Sequence, residues 1–294
     1  MVIHLDGDVL VYRAGFAAEH VYHTVECAVG GEMMRARFAD KERALAFLDE
    51  QGINYQGVSW STDVEVQPEA NALMIARSII QKILDDMAVG PEALKVYLSG
   101  PSNFRNGVAK IKGYKANRAN KRKPVHSAAI KGMLRRECNV FLSDGQEADD
   151  DIGIAHYAEW VRDPQGSVIA TIDKDLNMIP GLHYNFVTGE TFNIEPEEGM
   201  RWFWTQMLTG DSTDNIPGIP GVGKVKAAKI LGDLTGDAAL YGVVAEAYKS
   251  AYGDSWLEAL VENGRLLWIR RQPDEWWAPT LWDDSIIYNQ GDST

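Results

Sequence analysis

Short, unbroken apolar runs alternate along this chain with longer stretches in which apolar residues recur every three or four positions. That alternation predicts strands followed by helices. The buried-type strands are Val2 to Leu5, Leu94 to Leu98, Asn139 to Leu142 and Ser167 to Ile172. Helices are predicted over Val9 to Ala18, over Pro68 to Met87 (with Leu73, Ala76, Ile80, Ile83 and Leu84 at helical spacing), over Val125 to Arg136 and over Ile152 to Val161. Strands separated by helical crossovers imply an α/β fold built on a mainly parallel central sheet flanked by helices. His20 to Ala28 and Met33 to Phe38, joined by Gly30-Gly31, read as a hairpin, and His183 to Thr188 with Glu190 to Ile194 as a second one around Gly189. Lys41 to Glu50 is a short amphipathic helix, and Gly52 to Val66 reads as polar and irregular. From Met200 the chain turns helical, and Trp202, Phe203 and Trp204 there fit a core better than a base-stacking platform. Beyond Gly236 it is helical and then irregular, with Trp256, Trp268, Trp276, Trp277 and Trp282 expected to pack against that helical part.

Three of these strands run into acids. Asp6 ends the first, Asp173 and Asp175 follow the fourth, and the third leads to Asp144-Gly145-Gln146-Glu147-Ala148-Asp149-Asp150-Asp151, five acids in eight residues. Acids at a helix start are favourable in themselves, because they meet the positive end of the helix dipole. The carboxyl ends of parallel strands, however, converge on one edge of a sheet, which is where open α/β sheets place their ligands. Acids from three strand ends therefore predict a shared site for divalent cations, which take oxygen ligands.

The formal net charge of −13 argues at first against a nucleic-acid partner. Its distribution reverses that inference. Between Arg105 and Arg136 lie eleven Lys and Arg and no Asp or Glu, so the other 262 residues carry 18 − 42 = −24. Such segregation predicts an anion-contacting element on an acidic body, the plainer alternative being a solvated basic loop. Two cysteines, Cys27 and Cys138, make neither a disulfide framework nor a zinc pattern, which suits a reducing cytoplasm. Met1 to Asp6 has no basic region followed by an apolar core, and the most apolar window, Ala72 to Leu84, is broken by Arg77, Gln81 and Lys82. Neither a signal peptide nor a membrane span is expected.

From Leu208 the chain reads L-T-G-D-S-T-D-N-I-P-G-I-P-G-V-G-K-V-K, with a helix beginning near Lys224. Gly218, Gly221 and Gly223 let the backbone approach a ligand closely, and free amides at the helix start face an anion. Strand and spacing exclude a P-loop. The pattern suits contact with a nucleic-acid backbone without base reading, the alternative being a tight helix connection with exposed Lys224, Lys226 and Lys229.

With these segments assembled, the chain resembles the phage and bacterial 5′ to 3′ exonuclease and flap endonuclease family. The resemblance runs from Val2 to about Leu234 and is carried by the ordered set D-G-D, Y-K-A-N-R, E-A-D-D, D-K-D and G-D-S-T-D-N-I-P-G-I-P-G-V-G-K. It implies a PIN-like α/β nuclease domain over 1–197 with a basic helical arch at about 103–124. A helical domain over 198–294 then contains a helix-three-turn-helix at about 205–234. By resemblance Asp6, Glu147, Asp149 and Asp150 form a first magnesium site, and Asp173, Asp175, Asp211 and Asp214 a second, with manganese able to substitute; Asp8 and Asp151 are left outside. Lys115 and Arg118 match residues that contact the scissile phosphate, and Arg105, Tyr114, Lys121 and Arg122 belong to the same DNA-binding stretch. Gly221, Val222, Gly223, Lys224 and Lys226 would hold the duplex backbone. The carbonyls of Leu208, Thr209, Pro217, Ile219 and Val222 would hold a potassium ion that bridges to a phosphate.

The activity so implied is structure-selective, two-metal hydrolysis of DNA near 5′ ends or flaps, or of RNA-DNA hybrids. It would be carried out by a monomer in replication or repair, in the cytoplasm of a bacterial or phage-infected cell. One departure stands out: the family places an Asp at the end of the second strand, where this chain has Ser99-Gly100-Pro101-Ser102 before Phe104-Arg105. A water, or the hydroxyl of Ser99 or Ser102, could fill that place. The competing readings are a branched-DNA-binding protein with weakened catalysis and a PIN-like ribonuclease.

Overall fold

The structure is a computed structural model that describes residues 1–119 and 121–279 of the 294. Positions 280–294 of the expected helical domain, with Trp282, lie outside the described residues. The elements in chain order are β1 (Val2–Asp6), α1 (Gly7–Ala17), β2 (Glu19–Val29), β3 (Glu32–Phe38), α2 (Lys41–Glu50), β4 (Ser59–Val66), α3 (Glu69–Met87), β5 (Leu94–Ser99), α4 (Arg105–Val108) and α5 (Ser127–Glu137). They continue with β6 (Asn139–Ser143), α6 (Ala148–Trp160), β7 (Ser167–Ala170), β8 (Gly181–Asn185), β9 (Glu190–Ile194), α7 (Pro196–Thr209), α8 (Lys224–Leu231), α9 (Asp237–Tyr252) and α10 (Trp256–Leu267). The chain divides into two compact units, one made of Met1–Asp8, Ala88–Arg122 and the chain from Cys138 onward, the other of Val9–Met87 and Lys123–Glu137.

The first unit is built on a six-stranded sheet in the order β6-β5-β1-β7-β8-β9. All neighbours are parallel except β8 and β9, which close as an antiparallel hairpin. β1 lies at the centre, where Ile3 and Leu5 are fully buried, as the near-continuous apolar character of a two-sided parallel strand requires. His4, buried in the same strand, donates or accepts at both ring nitrogens, to the Tyr97 hydroxyl at 2.9 Å and to Glu159 at 3.0 Å. A continuous core joins Ile169, Leu176 and Ile152 to the helical region through Phe203, Trp204, Met207, Tyr248, Leu260 and Trp268. Phe203 and Trp204 are thus core residues, as their apolar setting predicts, and among the described residues no helix is long and apolar enough to cross a membrane.

The second unit holds a three-stranded sheet in the order β3-β2-β4. Val25 and Cys27 from β2 and Ala44 and Leu48 from α2 form its small core. Here the expectation of an irregular 52–66 is overturned over its second half, because Ser59–Val66 pairs antiparallel with β2 from Glu19 to Glu26. Every residue of β4 is exposed, so the strand alternates Trp60, Val64 and Val66 with polar residues but lacks the apolar weight that marks a buried strand.

Candidate active site

Three segments of the first unit bring their acids to the carboxyl edge of the parallel sheet, and a fourth comes from the helical region. Asp6 ends β1, is 1% exposed, and accepts a hydrogen bond from the Thr171 hydroxyl at 2.9 Å just beyond β7. Thr171 also accepts from the Asp173 amide, and Asp173 in turn accepts from the Asp175 amide at 3.0 Å, so the D-K-D turn is fixed by its own side chains. Glu147 is the N-cap of α6 and Asp149 lies in its first turn, where the helix dipole favours negative charge. Asp211 and Asp214 sit in the loop after α7, pinned by reciprocal backbone hydrogen bonds between Asp211 and Ile216 at 2.9 and 2.8 Å. Asp175, Asp211 and Asp214 each present an oxygen within 4.8 Å of the others. A cleft of about 20 Å³ opens among Glu147, Asp149, Asp175, Asp211 and Asp214, room for one water-sized species.

The electrostatics are those of carboxylates crowded beyond comfort. Burial, and then the charges of Asp6, Asp173 and Glu147, push the Asp149 carboxyl well above the usual carboxylate range. Burial, and then Asp173, Asp211 and Asp214, push Asp175 up to about 7. An all-oxygen donor set under mutual repulsion fits hard divalent cations, whose charge removes the cause of the repulsion.

Two cations of the chain already lean on this cluster. Lys115 Nζ donates to Glu147 Oε1 at 2.5 Å and lies 3.4 Å from Asp214 Oδ2, while Arg118 pairs with Asp214 Oδ1 and donates to the Thr213 carbonyl at 3.0 Å. Burial alone would lower the Lys115 ammonium, but Glu147 and Asp214 outweigh it and hold it above its ordinary value. The Tyr114 hydroxyl lies between the same two acids, 2.7 Å from Glu147 and 2.9 Å from Asp214. Lys115 has φ 53 and its amide donates to the Asp214 carbonyl at 2.9 Å, so Y-K-A-N-R is latched to D-S-T-D-N through backbone as well as side chains. Over 103–124 the described residues are helical only over α4 and a single turn at Ala116–Arg118. Gly107 and Gly113 disfavour helix there, and the left-handed backbone of Lys115 interrupts it.

Not every predicted residue reaches the cleft. Arg105, expected to touch DNA, is 2% exposed and spends its guanidinium on Asp150 at 2.6 and 2.9 Å, on the Leu266 carbonyl at 2.9 Å and on the Trp268 carbonyl at 2.8 Å. Asp150 is fully buried, and although burial opposes it, Arg105 holds its carboxyl below the ordinary value. Lys121 and Arg122 are exposed, as are Gly221, Gly223, Lys224 and Lys226 at the start of α8. At the second-strand departure, the Ser99 hydroxyl accepts from the Ala148 amide at 3.0 Å and the Ser99 amide donates to Asp8 at 2.7 Å. Ser102 donates to Asp144 at 2.5 Å. Both hydroxyls are thus engaged in bracing the start of α6 and the loop before it. Gln206, which donates to Asp175 at 2.6 Å, and Thr171 escaped the sequence reading because neutral side chains leave no charge pattern.

No family model matches the chain. The exodeoxyribonuclease of Enterobacteria phage T3 is 28% identical over 175 residues, 58% of this chain and 53% of that protein. DNA polymerase I of Rhizobium leguminosarum is 33% identical over 169 residues, 51% of this chain and 16% of that protein. The chain therefore spans about half the length of the phage relative and a small part of the polymerase. In three dimensions the T5 5′-exonuclease with bound zinc superposes at TM-score 0.53 and 15% identity, covering 90% of this chain and 88% of that one. The T5 D15 protein crystallised with metal ions gives TM-score 0.55 at 13% identity over the same shares. Ours is the fold of the T5 5′-exonuclease. The family resemblance drawn from the motifs, and the mainly parallel α/β sheet with a helical C-terminal region, are borne out.

Within the 5′-exonuclease fold, the turn between α7 and α8 depends on two glycines whose backbones touch. Gly210 and Gly218 have φ of 65 and 58, and a Cβ built on Gly218 would lie 2.1 Å from the Gly210 amide nitrogen. The Ile219 amide donates to the Leu208 carbonyl at 2.9 Å, and the Val222 amide to the Ile219 carbonyl at 3.1 Å. Each of those carbonyls retains a second lone pair.

Proposed function

We propose that this chain is a metal-dependent 5′ nuclease that hydrolyses DNA phosphodiesters near 5′ ends or flaps. The observation that carries the reading is the convergence of Asp6, Glu147, Asp149, Asp173, Asp175, Asp211 and Asp214 on one edge of a 5′-exonuclease fold, with Lys115 and Arg118 leaning on the same acids. The phage relatives, named as exonucleases, support it. Asp6, Glu147 and Asp149 would hold one cation and Asp173, Asp175, Asp211 and Asp214 another, magnesium being the expected ion with manganese as its substitute. Bound there, the cations supply the Lewis acidity and water activation that phosphodiester hydrolysis needs.

The chain's own residues do the rest. Lys115 and Arg118 meet the incoming phosphate and offset its charge with charge-assisted hydrogen bonds. Tyr114, whose hydroxyl lies within hydrogen-bond distance of Glu147 and Asp214 and shares its one proton between them, keeps the two acid groups in register. Gly221 to Lys226 face the duplex backbone, and the turn's carbonyls, those of Leu208, Thr209, Pro217, Ile219 and Val222, are the proposed potassium ligands. Selectivity then follows DNA structure rather than base sequence. We assign the nuclease domain to 1–197 and the duplex-contacting helical domain to 198–294, which also lends Asp211 and Asp214 to the second cation. We place the protein, as a monomer, in the replication or repair machinery of a bacterial or phage-infected cell.

Labelled 5′-flap and blunt duplexes incubated with magnesium, with and without chelator, test the proposal. Cleavage must be chelator-sensitive, and Asp149→Asn must abolish it while leaving DNA binding largely intact. Near wild-type turnover of that variant refutes the assignment. The absence of an acid at Ser99-Gly100-Pro101-Ser102 favours one alternative, a branched-DNA binder. Tight flap binding without cleavage at any magnesium or manganese concentration supports that instead.

A further inference from the structure

Asp150 is adjacent in sequence to Asp149, yet its surroundings are opposite in kind. Asp149 faces Asp6, Asp173 and Glu147. Asp150 faces donors: its Oδ1 accepts from Arg105 Nη2 at 2.9 Å and from the Arg270 amide at 3.2 Å, and its Oδ2 accepts from Arg105 Nη1 at 2.6 Å and from the Glu147 amide at 3.1 Å. A carboxylate offers about four lone-pair sites, and all four are used. The side chain has no exposed surface, and its partner Arg105 has almost none. A cation could take Asp150 only by breaking a bidentate, charge-assisted pair inside the protein and leaving a guanidinium buried without its counter-charge.

We infer that Asp150 is not a metal ligand but a positioning residue, which with Arg105 fixes the backbone of Glu147 and ties the segment after α10 to the acidic cleft. The inference rests on the two-cation reading proposed above and removes one acid from its first site. The geometry gives the pair two tasks. Through the Glu147 amide, Asp150 sets the first turn of α6, so that the Glu147 side chain points toward Tyr114 and Lys115. Through Arg105, which also holds the Leu266 and Trp268 carbonyls and lies 3.8 Å from Glu147 Oε2, the start of the basic stretch is bound to the end of α10. The Arg270 amide on Asp150 and Arg270 Nη1 on Gln146, at 2.7 Å, continue the same lock past α10. Asp150 thus orients a ligand without being one, as outer-shell partners of metal ligands do.

The test uses the full chain. Crystals soaked in manganese are read by anomalous scattering, and Asp149→Asn and Asp150→Asn are titrated with manganese by calorimetry and assayed on a 5′ flap. Manganese is expected among Asp6, Glu147, Asp149 and the Asp175, Asp211, Asp214 group, with none at the ligand distance of about 2.0–2.2 Å from Asp150. Asp149→Asn should lose at least about tenfold in manganese affinity; Asp150→Asn should keep both cations while its turnover per folded molecule falls about 10–100-fold. Manganese bound to Asp150 overturns this inference alone. Unchanged turnover per folded molecule overturns it too, since Asp150 would then be merely structural. Manganese absent from the whole cleft overturns the two-cation reading and this inference with it. If Asp150→Asn does not fold, the soaked wild-type crystal decides.

Discussion

Lowering the pH from 7 to 5 should weaken the fold through two buried histidines, and replacing one of them should remove a calculable share of that loss. His183 is 1% exposed and donates to the Ile179 carbonyl at 2.8 Å, and its other ring nitrogen has no hydrogen-bond partner among the described residues. Burial lowers its pKa from 6.5 to about 4. His156, fully buried between the Pro180 carbonyl and the Ser167 hydroxyl, is lowered to about 3 by burial and then by the charges of His4 and His183. For a base with a depressed folded pKa, the stabilising contribution is complete above the unfolded value of 6.5. It is lost as the pH falls below that value, until the folded group itself takes up a proton. In that window the unfolded chain binds one more proton per histidine, so stability falls by about 1.4 kcal/mol per pH unit for each. Integrated from pH 7 to pH 5, His183 accounts for about 1.8 kcal/mol and His156 for about 1.9 kcal/mol.

Asp175, raised to about 7, works the other way by taking up protons first in the folded state, so the wild-type curve alone is not diagnostic. The difference between wild type and His183→Leu is. At pH 7 the variant should differ by only about 1 kcal/mol, the cost of an unpaired Ile179 carbonyl. By pH 5 it should have gained about 1.8 kcal/mol on the wild type. Urea unfolding with a chelator, at half-unit steps of pH, measures both curves, and parallel curves would refute the buried, neutral state assigned to His183.

The other predictions concern the cleft and the turn. Arg105→Met leaves Asp150 buried without its partner and should cost about 3–5 kcal/mol in urea unfolding, while the DNA affinity of the folded fraction holds; a loss of affinity without a loss of stability would return Arg105 to the DNA surface. Lys115→Ala should lower single-turnover cleavage by about 10²–10³-fold and weaken binding far less, and an unchanged rate removes Lys115 from the chemistry. Gly218→Ala forces a side chain into the left-handed region, with its Cβ 2.1 Å from the Gly210 amide nitrogen. It should lower stability by more than about 2 kcal/mol and weaken duplex binding; thermal unfolding and a binding isotherm check the two effects separately.

Much of the site was legible because its logic is local. An apolar run followed by an acid is visible in V-I-H-L-D and in S-V-I-A-T-I-D, and parallel crossovers oblige those ends to meet at one edge. Asp211 and Asp214 came from the resemblance alone, since no strand delivers them. What escaped depends on distance along the chain. Arg105 reads as one more cation in a basic stretch, yet its partners lie 45 residues on, at Asp150, and 161 and 163 on, at Leu266 and Trp268. Nor does spacing separate Asp149 from Asp150, because neighbouring positions on a helix point about 100° apart and the sequence does not say which direction is the cleft. β4 was missed for another reason: its alternation is present in W-S-T-D-V-E-V, but an exposed edge strand carries too little apolar weight to be told from a loop.

The same distinction explains how so acidic a chain holds its cleft together. Seven carboxylates gather at one sheet edge, where burial first and then the charges of their neighbours raise the Asp149, Asp173 and Asp175 groups. The fold answers with cations of two kinds. Arg105 is buried, saturated and distant from solvent, so it stabilises the frame and takes no part in exchange with ligands. Lys115 and Arg118 are partly exposed, 27% and 39% at the side chain against 3% for Arg105. On the proposed reading, an incoming phosphate can replace the acids as partner of these accessible cations, whereas taking Arg105 from Asp150 would leave a buried charge unpaired. Burial, more than charge, therefore decides which basic residues belong to the scaffold and which remain free to meet a nucleic acid.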